Sequence, residues 1–102
     1  MPRTPVTMRE NADTNSIEAL TEDGTVAGWV EYYRTADGDF VAVHTEVDPA
    51  FEGQGIGSQI AEGVVEMVRG SGRRLRPDCR FIASWLREHP EAHDVLVEGL
   101  TF

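Results

Sequence analysis

The stretch AFEGQGIGSQIAEG, residues 50–63, places glycines at 53, 55 and 57 between a run with β character and a run with helical spacing. Upstream, FVAVHTEV (40–47) reads as a strand that Asp48 and Pro49 end, because proline lacks an N–H and restricts the residue before it. Side chains alternate along a strand, so Val41, Val43, Thr45 and Val47 are expected on one face and Phe40, Ala42, His44 and Glu46 on the other. Downstream, Ile56, Ile60, Val64 and Met67 or Val68 recur at helical intervals until RGSG stops the helix with glycine. The next segment, RRLRP, reads as another strand. Strand, glycine loop, helix and strand make a βαβ unit with an expected right-handed crossover.

Before that unit the chain alternates strand-like runs with turn signals. VTMREN reads as an edge strand, SIEAL alternates apolar and polar, and VAGWVEYYR is rich in β-branched and aromatic residues. TEDGT and TADGD both contain Asp-Gly, a strong hairpin signal, so these strands are expected to be antiparallel neighbours. After RRLRP, CRFIASWLREH reads as a second amphipathic helix ended by Pro90, and AHDVLVEGLTF as a closing helical turn, strand or tail. The fold class is therefore α+β (mixed α/β): an antiparallel meander, a βαβ unit and a second helix. At 102 residues this fits one domain, 1–102, with residues 1–5 expected to be disordered.

The net charge of -9, with arginine as the only basic residue besides histidine, disfavours sequence-independent nucleic-acid binding. Charge is uneven: residues 1–68 carry -10, whereas 69–102 carry +1 and hold Arg69, Arg73, Arg74, Arg76 and Arg80 close together. A solvated surface and a local anion site are the two readings of that crowding. No apolar run is long enough to span a bilayer and the first residues lack a signal peptide's apolar region, so a cytoplasmic protein without membrane contact is expected. The single cysteine, Cys79, permits no intrachain disulfide.

A loop entering a helix exposes N–H groups with no intrahelical partner, and the helix dipole adds about half a positive charge there. Glycine lets a ligand approach that backbone and permits the positive φ that turns consecutive N–H groups toward one centre. The result is an anion site made without side chains. Its spacing is not that of a P-loop, which needs a lysine, nor Gly-x-Gly-x-x-Gly, because the third glycine arrives one residue early. Taken with HTEV before it and PDCRF and HPE after it, EGQGIG resembles the GNAT acetyltransferases, and more closely a short single-domain branch of that superfamily, over residues 16–97. Glu52 stands where the wider GNAT pattern has Arg or Gln, which leaves backbone donors to hold the phosphate.

The resemblance implies acetyl-CoA (CoA) as cofactor. Its pyrophosphate would lie on the loop residues Gly53, Gln54, Gly55, Ile56, Gly57 and Ser58, chiefly on the N–H groups from Gln54 to Ser58, and its pantetheine would pair with backbone near Val47. It also implies an amine acceptor, a small molecule or a protein, and a trimmed GNAT-like fold. Most GNAT enzymes wall the acceptor site with two helices between their first strands; here only ADTN separates them, so the site is open, completed by a homodimer partner, or suited to a macromolecular acceptor of basic character.

Amine acetylation needs a neutral nucleophile, since alkylamines near pKa ~10.4 are mostly protonated at neutral pH. His44 and Glu46, at i and i+2, are candidates for the base; a solvent-facing polar pair is the plainer reading. Cys79 lies where the second helix begins, with Arg76 and Arg80 favouring a thiolate and Asp78 opposing it. An isolated cysteine is by default a small buried hydrophobe, whereas the resemblance marks Pro-x-Cys as a hallmark near the thioester. Either Cys79 accepts the acetyl group with His44 as base, or the amine attacks directly and Cys79 lines the channel. His89 and His93 have helical metal-ligand spacing, but Pro90 interrupts the helix and solvated surface is the plainer assignment. Trp29, Tyr32, Tyr33, Phe81 and Trp85 read as core, with Trp85 near the cleft. Two functional classes result: an acyl-CoA-dependent N-acetyltransferase, or a CoA-binding or acyl-CoA-sensing module without turnover.

Overall fold

The computed structural model describes residues 3–100. Five strands form one sheet in the order β1-β2-β3-β4-β5: β1 Thr7–Asn11, β2 Ser16–Leu20, β3 Val26–Arg34, β4 Phe40–Val47 and β5 Leu75–Pro77. The first four run antiparallel, and β5 pairs in parallel with β4 after the crossover through helix α1, Ile56–Ser71. Helix α2, Arg80–Arg87, follows β5, and a 3-10 helix, Pro90–Val95, leads to a parallel bridge between Leu96 and Leu75. The closing segment therefore supports the short strand β5. Among the described residues no helix is long and apolar enough to cross a membrane.

Both helices belong to one core with the sheet. Ile56, Ile60, Val64 and Val68 from α1, and Ile82 and Leu86 from α2, are buried with Ile17, Ala19, Val30 and Ala42. Gly28 makes the approach of α1 possible: a Cβ there would lie 2.7 Å from the Glu46 carbonyl oxygen and 3.1 Å from Ile60 Cδ1. Among the described residues no helix lies on the opposite face of β1–β4. Cross-strand partners Arg9, Glu18, Trp29 and Glu46 run across it, and Glu31 and His44 form a second row.

The expected alternation of β4 fails at one residue. The register with β3 passes from Glu31 opposite His44 to Tyr32 opposite Ala42, leaving Val43 as a bulge. Val43 is 40 % exposed for that reason. The bulge shifts the phase, so Thr45, paired with buried Val30, shares the helix-side face with Ala42, while His44 and Glu46 take the helix-free face with Glu31 and Trp29.

Of the first five residues, 3–5 lie within the described structure, where Thr4 is tied to the glycine loop. Thr4 N–H donates to Gln54 O (3.0 Å), and the Gln59 side-chain amide donates to Thr4 O. Residues 1 and 2 lie outside the described residues.

Tyr32 lies on the helix-side face, where its hydroxyl donates to a Glu10 carboxylate oxygen. Burial, then the hydrogen bond to Glu10, pushes its pKa from 10 up to about 12. Because the folded value is raised, the stability linked to Tyr32 is complete below pH 10 and is lost as pH rises toward 12. Denaturant midpoints measured between pH 9 and 12, on a scale set by that shift, should fall for the wild type and fall less for Tyr32→Phe. Parallel curves would refute the assignment.

Candidate acyl-CoA site

β4 and β5 part early. Their pairing ends at Ala42 opposite Pro77, and one further bond, Cys79 N–H to Ala42 O (2.8 Å), turns the chain into α2. Beyond that point β4 continues for five residues without β5. Asp48 N–H donates to Ala27 O (2.8 Å), which makes Gly28 and Val47 a non-hydrogen-bonded pair, as Val30 and Thr45 are two residues earlier. The backbone N–H and C=O groups of Thr45 and Val47 therefore point away from β3, toward the edge β5 has left. An extended chain of amides has a ladder to pair with there.

That edge runs into the glycine loop. A 3-10 helix, Pro49–Phe51, capped by the Asp48 carboxylate on Ala50 N–H (2.9 Å), reverses the chain. Gly53 (φ 75°) and Gly55 (φ 76°) then adopt left-handed conformations, and Gly55 is the N-cap of α1. The first intrahelical bond is Gln59 N–H to Gly55 O (3.2 Å), so Ile56, Gly57 and Ser58 present N–H groups without an intrahelical acceptor. Gln54 departs from expectation: its N–H is directed at Phe51 O (3.3 Å), and its carbonyl and side chain are engaged by Thr4. Val47, Phe51, Gly53, Gly55, Ile56, Gly57, Ser58 and Phe81 line a cavity of about 300 Å³ at this place.

Phe81 corrects the reading of that residue as core. It is 42 % exposed, and a Cβ on Gly57 would lie 2.6 Å from the tip of its ring, so the third glycine of the loop admits the aromatic wall. Helical phase carries the signal: Ile82 and Leu86 define the buried stripe of α2, and Phe81 falls about 100° to one side of it. Trp85 does not border this cavity. It stacks on His89 at 3.8 Å, on the side of α1 that carries Glu62, Val65 and Arg69. His89 Nδ1 and His93 Nε2 lie 2.7 and 2.6 Å from the Trp85 and Leu86 carbonyls. Both histidines are half-buried caps of the α2 C-terminus rather than solvated surface.

The candidate reacting groups fall into two sets. On the helix-free face, His44 Nε2 and Glu46 Oε1 are 2.7 Å apart, each side chain about half exposed. Glu31 lies across from His44 and accepts from Trp29 Nε1 (3.1 Å). Glu18, on the same face, is held below the usual carboxylate range chiefly by the hydrogen bond from Arg9. On the helix side, Cys79 is 5 % exposed, with Sγ 3.1 Å from Thr45 Oγ1. Residues 44 and 45 point to opposite faces of β4, and it is Thr45, not His44, whose side chain is bonded to Cys79. Arg76 does not attend Cys79 either: it lies with Tyr33, donating to its hydroxyl, and is held by both carboxylate oxygens of Asp78 at 3.0 Å. Arg69 is similarly taken by Asp94 and Glu66, so the five arginines do not converge on one anion site.

Residues 17–95 match the family model described as GCN5-related N-acetyl-transferase. The fold is similar to the solution structure of a GCN5-like protein from Staphylococcus aureus, with a TM-score of 0.68 and 22 % identity over 96 % of this chain and 93 % of that one. No curated protein matches in sequence.

Proposed function

Because this chain belongs to the GCN5-related N-acetyl-transferase family, we propose that it binds acetyl-CoA along the open edge of β4 and the glycine loop and transfers the acetyl group to an amine. The observation that carries the reading is the continuity of donors: unpaired backbone groups at Thr45 and Val47 lead into the N–H groups of Gly53, Gly55, Ile56, Gly57 and Ser58. The first set fits the amides of pantetheine, and the second fits a diphosphate at a helix N-terminus. Bound there, the thioester supplies an acetyl group activated toward amines.

His44 takes the role of base, with its ring oriented by Glu46, which also stabilises the imidazolium once a proton arrives. The amine reaches His44 from the helix-free face. Residues 12–15 join β1 directly to β2, so among the described residues no helix walls that side, and an amine carried on a larger molecule has access. Glu18, Glu31 and Glu46 on the same face favour a cationic acceptor. Direct attack on the thioester is favoured over passage through Cys79, because Cys79 faces the other side and is committed to Thr45.

Acetyl-CoA should raise the melting temperature of the wild type, and turnover should appear with basic amines in a panel of acceptors. Stabilisation without turnover of any amine would move the assignment to a CoA-binding or acyl-CoA-sensing module. Cys79→Ala should retain turnover within about threefold, since it removes a small buried side chain and no reacting group. Loss of turnover in that variant, together with an acetyl adduct mapped to Cys79 in the wild type, would restore the covalent route.

A further inference from the structure

Residues 3–6 are stitched across the glycine loop. Thr4 bonds Gln54 through both its backbone N–H (3.0 Å) and its hydroxyl, and Gln59 accepts from Val6 N–H (3.2 Å) while donating to Thr4 O. This fixes Arg3 at the mouth of the loop. Its stem crosses Gly55 so closely that a Cβ there would lie 3.0 Å from Arg3 Cγ and 3.6 Å from Cδ. The guanidinium rests on Glu62 Oε1 (2.9 Å), one to two helical turns along α1, with both side chains about half exposed.

A diphosphate on this loop meets an unfavourable field. Residues 1–68 carry a net charge of -10, and Glu52 occupies the first position of the loop pattern. Of the other two arginines in that span, Arg9 pairs with Glu18 on the helix-free face and Arg34 lies over the Phe40 ring at 4.0 Å. Arg3 is the one in contact with the loop. Its ion pair with Glu62 is half exposed and therefore weak, whereas a guanidinium matches phosphate oxygens with two parallel hydrogen bonds. We propose that Arg3 is a ligand of the acetyl-CoA diphosphate, resting on Glu62 in the free protein and exchanging that carboxylate for phosphate when the cofactor binds. The assignment rests on the placement of the diphosphate proposed above.

Titration calorimetry with CoA and with dephospho-CoA, on the wild type and on Arg3→Ala, Arg3→Lys and Glu62→Gln, tests it. Arg3→Ala should raise Kd by ~10-fold and Arg3→Lys by less, because lysine keeps the charge but not the fork. Glu62→Gln should lower Kd by ~2- to 3-fold, since releasing a weak competing pair frees Arg3 for phosphate. A merely structural clip predicts the opposite sign: Glu62→Gln would then weaken binding in step with Arg3→Ala, and that result overturns the proposal. The Arg3→Ala penalty should persist with dephospho-CoA; its disappearance would move the contact to the 3′-phosphate and overturn the diphosphate assignment. Tight wild-type binding untouched by Arg3→Ala refutes the role of Arg3 alone, whereas no CoA binding by the wild type refutes the cofactor placement beneath it.

Discussion

Replacing His44 with alanine should lower kcat/KM for amine acetylation by ~10²- to 10⁴-fold, the range for loss of a positioned general base, while the Kd for acetyl-CoA stays unchanged. The split follows from the bulge at Val43. It turns His44 and Glu46 to the helix-free face, away from Thr45 and Val47, whose backbone groups are assigned to the cofactor. On the proposed mechanism His44 would serve the proton transfer and not cofactor binding. Glu46→Gln keeps a polar partner 2.7 Å from Nε2 but removes its charge, so an intermediate loss of ~10-fold is expected from weaker support of the imidazolium. The choice of acceptor gives a sharper test. An alkylamine with a pKa near ~10.4 must lose a proton before it can attack, whereas a weakly basic amine is already neutral at pH 7. The His44→Ala defect should shrink with the weakly basic acceptor. Equal activity of wild type and His44→Ala on both amines would remove His44 from the chemistry.

What the sequence makes legible here is what period and punctuation encode. β2, β3 and β4 fall on SIEAL, VAGWVEYYR and FVAVHTEV because alternation, β-branching and Asp-Gly turns agree with each other. The start of α1 is legible for the same reason: helical spacing begins at Ile56, directly after Gly55. The bulge is not legible. Val43 is as apolar as its neighbours, and an extra residue in one strand is defined by the partner strand it fails to pair with. One unpaired residue therefore puts His44 on the face opposite Thr45, the residue bonded to Cys79, where the alternation rule alone expects His44 with Ala42.

Other misses have a common cause. Arg3, Phe81 and the capping of α2 by His89 and His93 all depend on contacts between segments far apart in the chain, or on the helix end itself. In the sequence Gly57 reads as backbone freedom, yet its φ is not positive; Phe81 from α2 occupies the space its side chain would need. Close approach, rather than conformation, explains that glycine.

Gly57→Val should therefore abolish stabilisation by acetyl-CoA without unfolding the protein. At ligand concentrations near 100 times Kd, binding adds about 2.7 kcal/mol, which for a chain of this size raises the melting temperature by roughly 10 °C or more. In the variant the new Cβ would start 2.6 Å from the Phe81 ring, and the exposed ring must swing away. The branched side chain then stands beside the Gly57 and Ser58 N–H groups, at the wall of the 300 Å³ cavity where the diphosphate is assigned. Folding itself is spared, because glycine is a poorer helix former than valine by roughly a few tenths of a kcal/mol and position 57 has ordinary helical geometry. Gly55→Val is less clean: it adds a left-handed β-branched residue, costing about 1–2 kcal/mol, and strikes Arg3. Calorimetric melting of the wild type and Gly57→Val, each with and without acetyl-CoA, reads the two effects separately. A variant that melts like the free wild type and gains nothing from acetyl-CoA places the diphosphate on these N–H groups; a full shift in the variant excludes them.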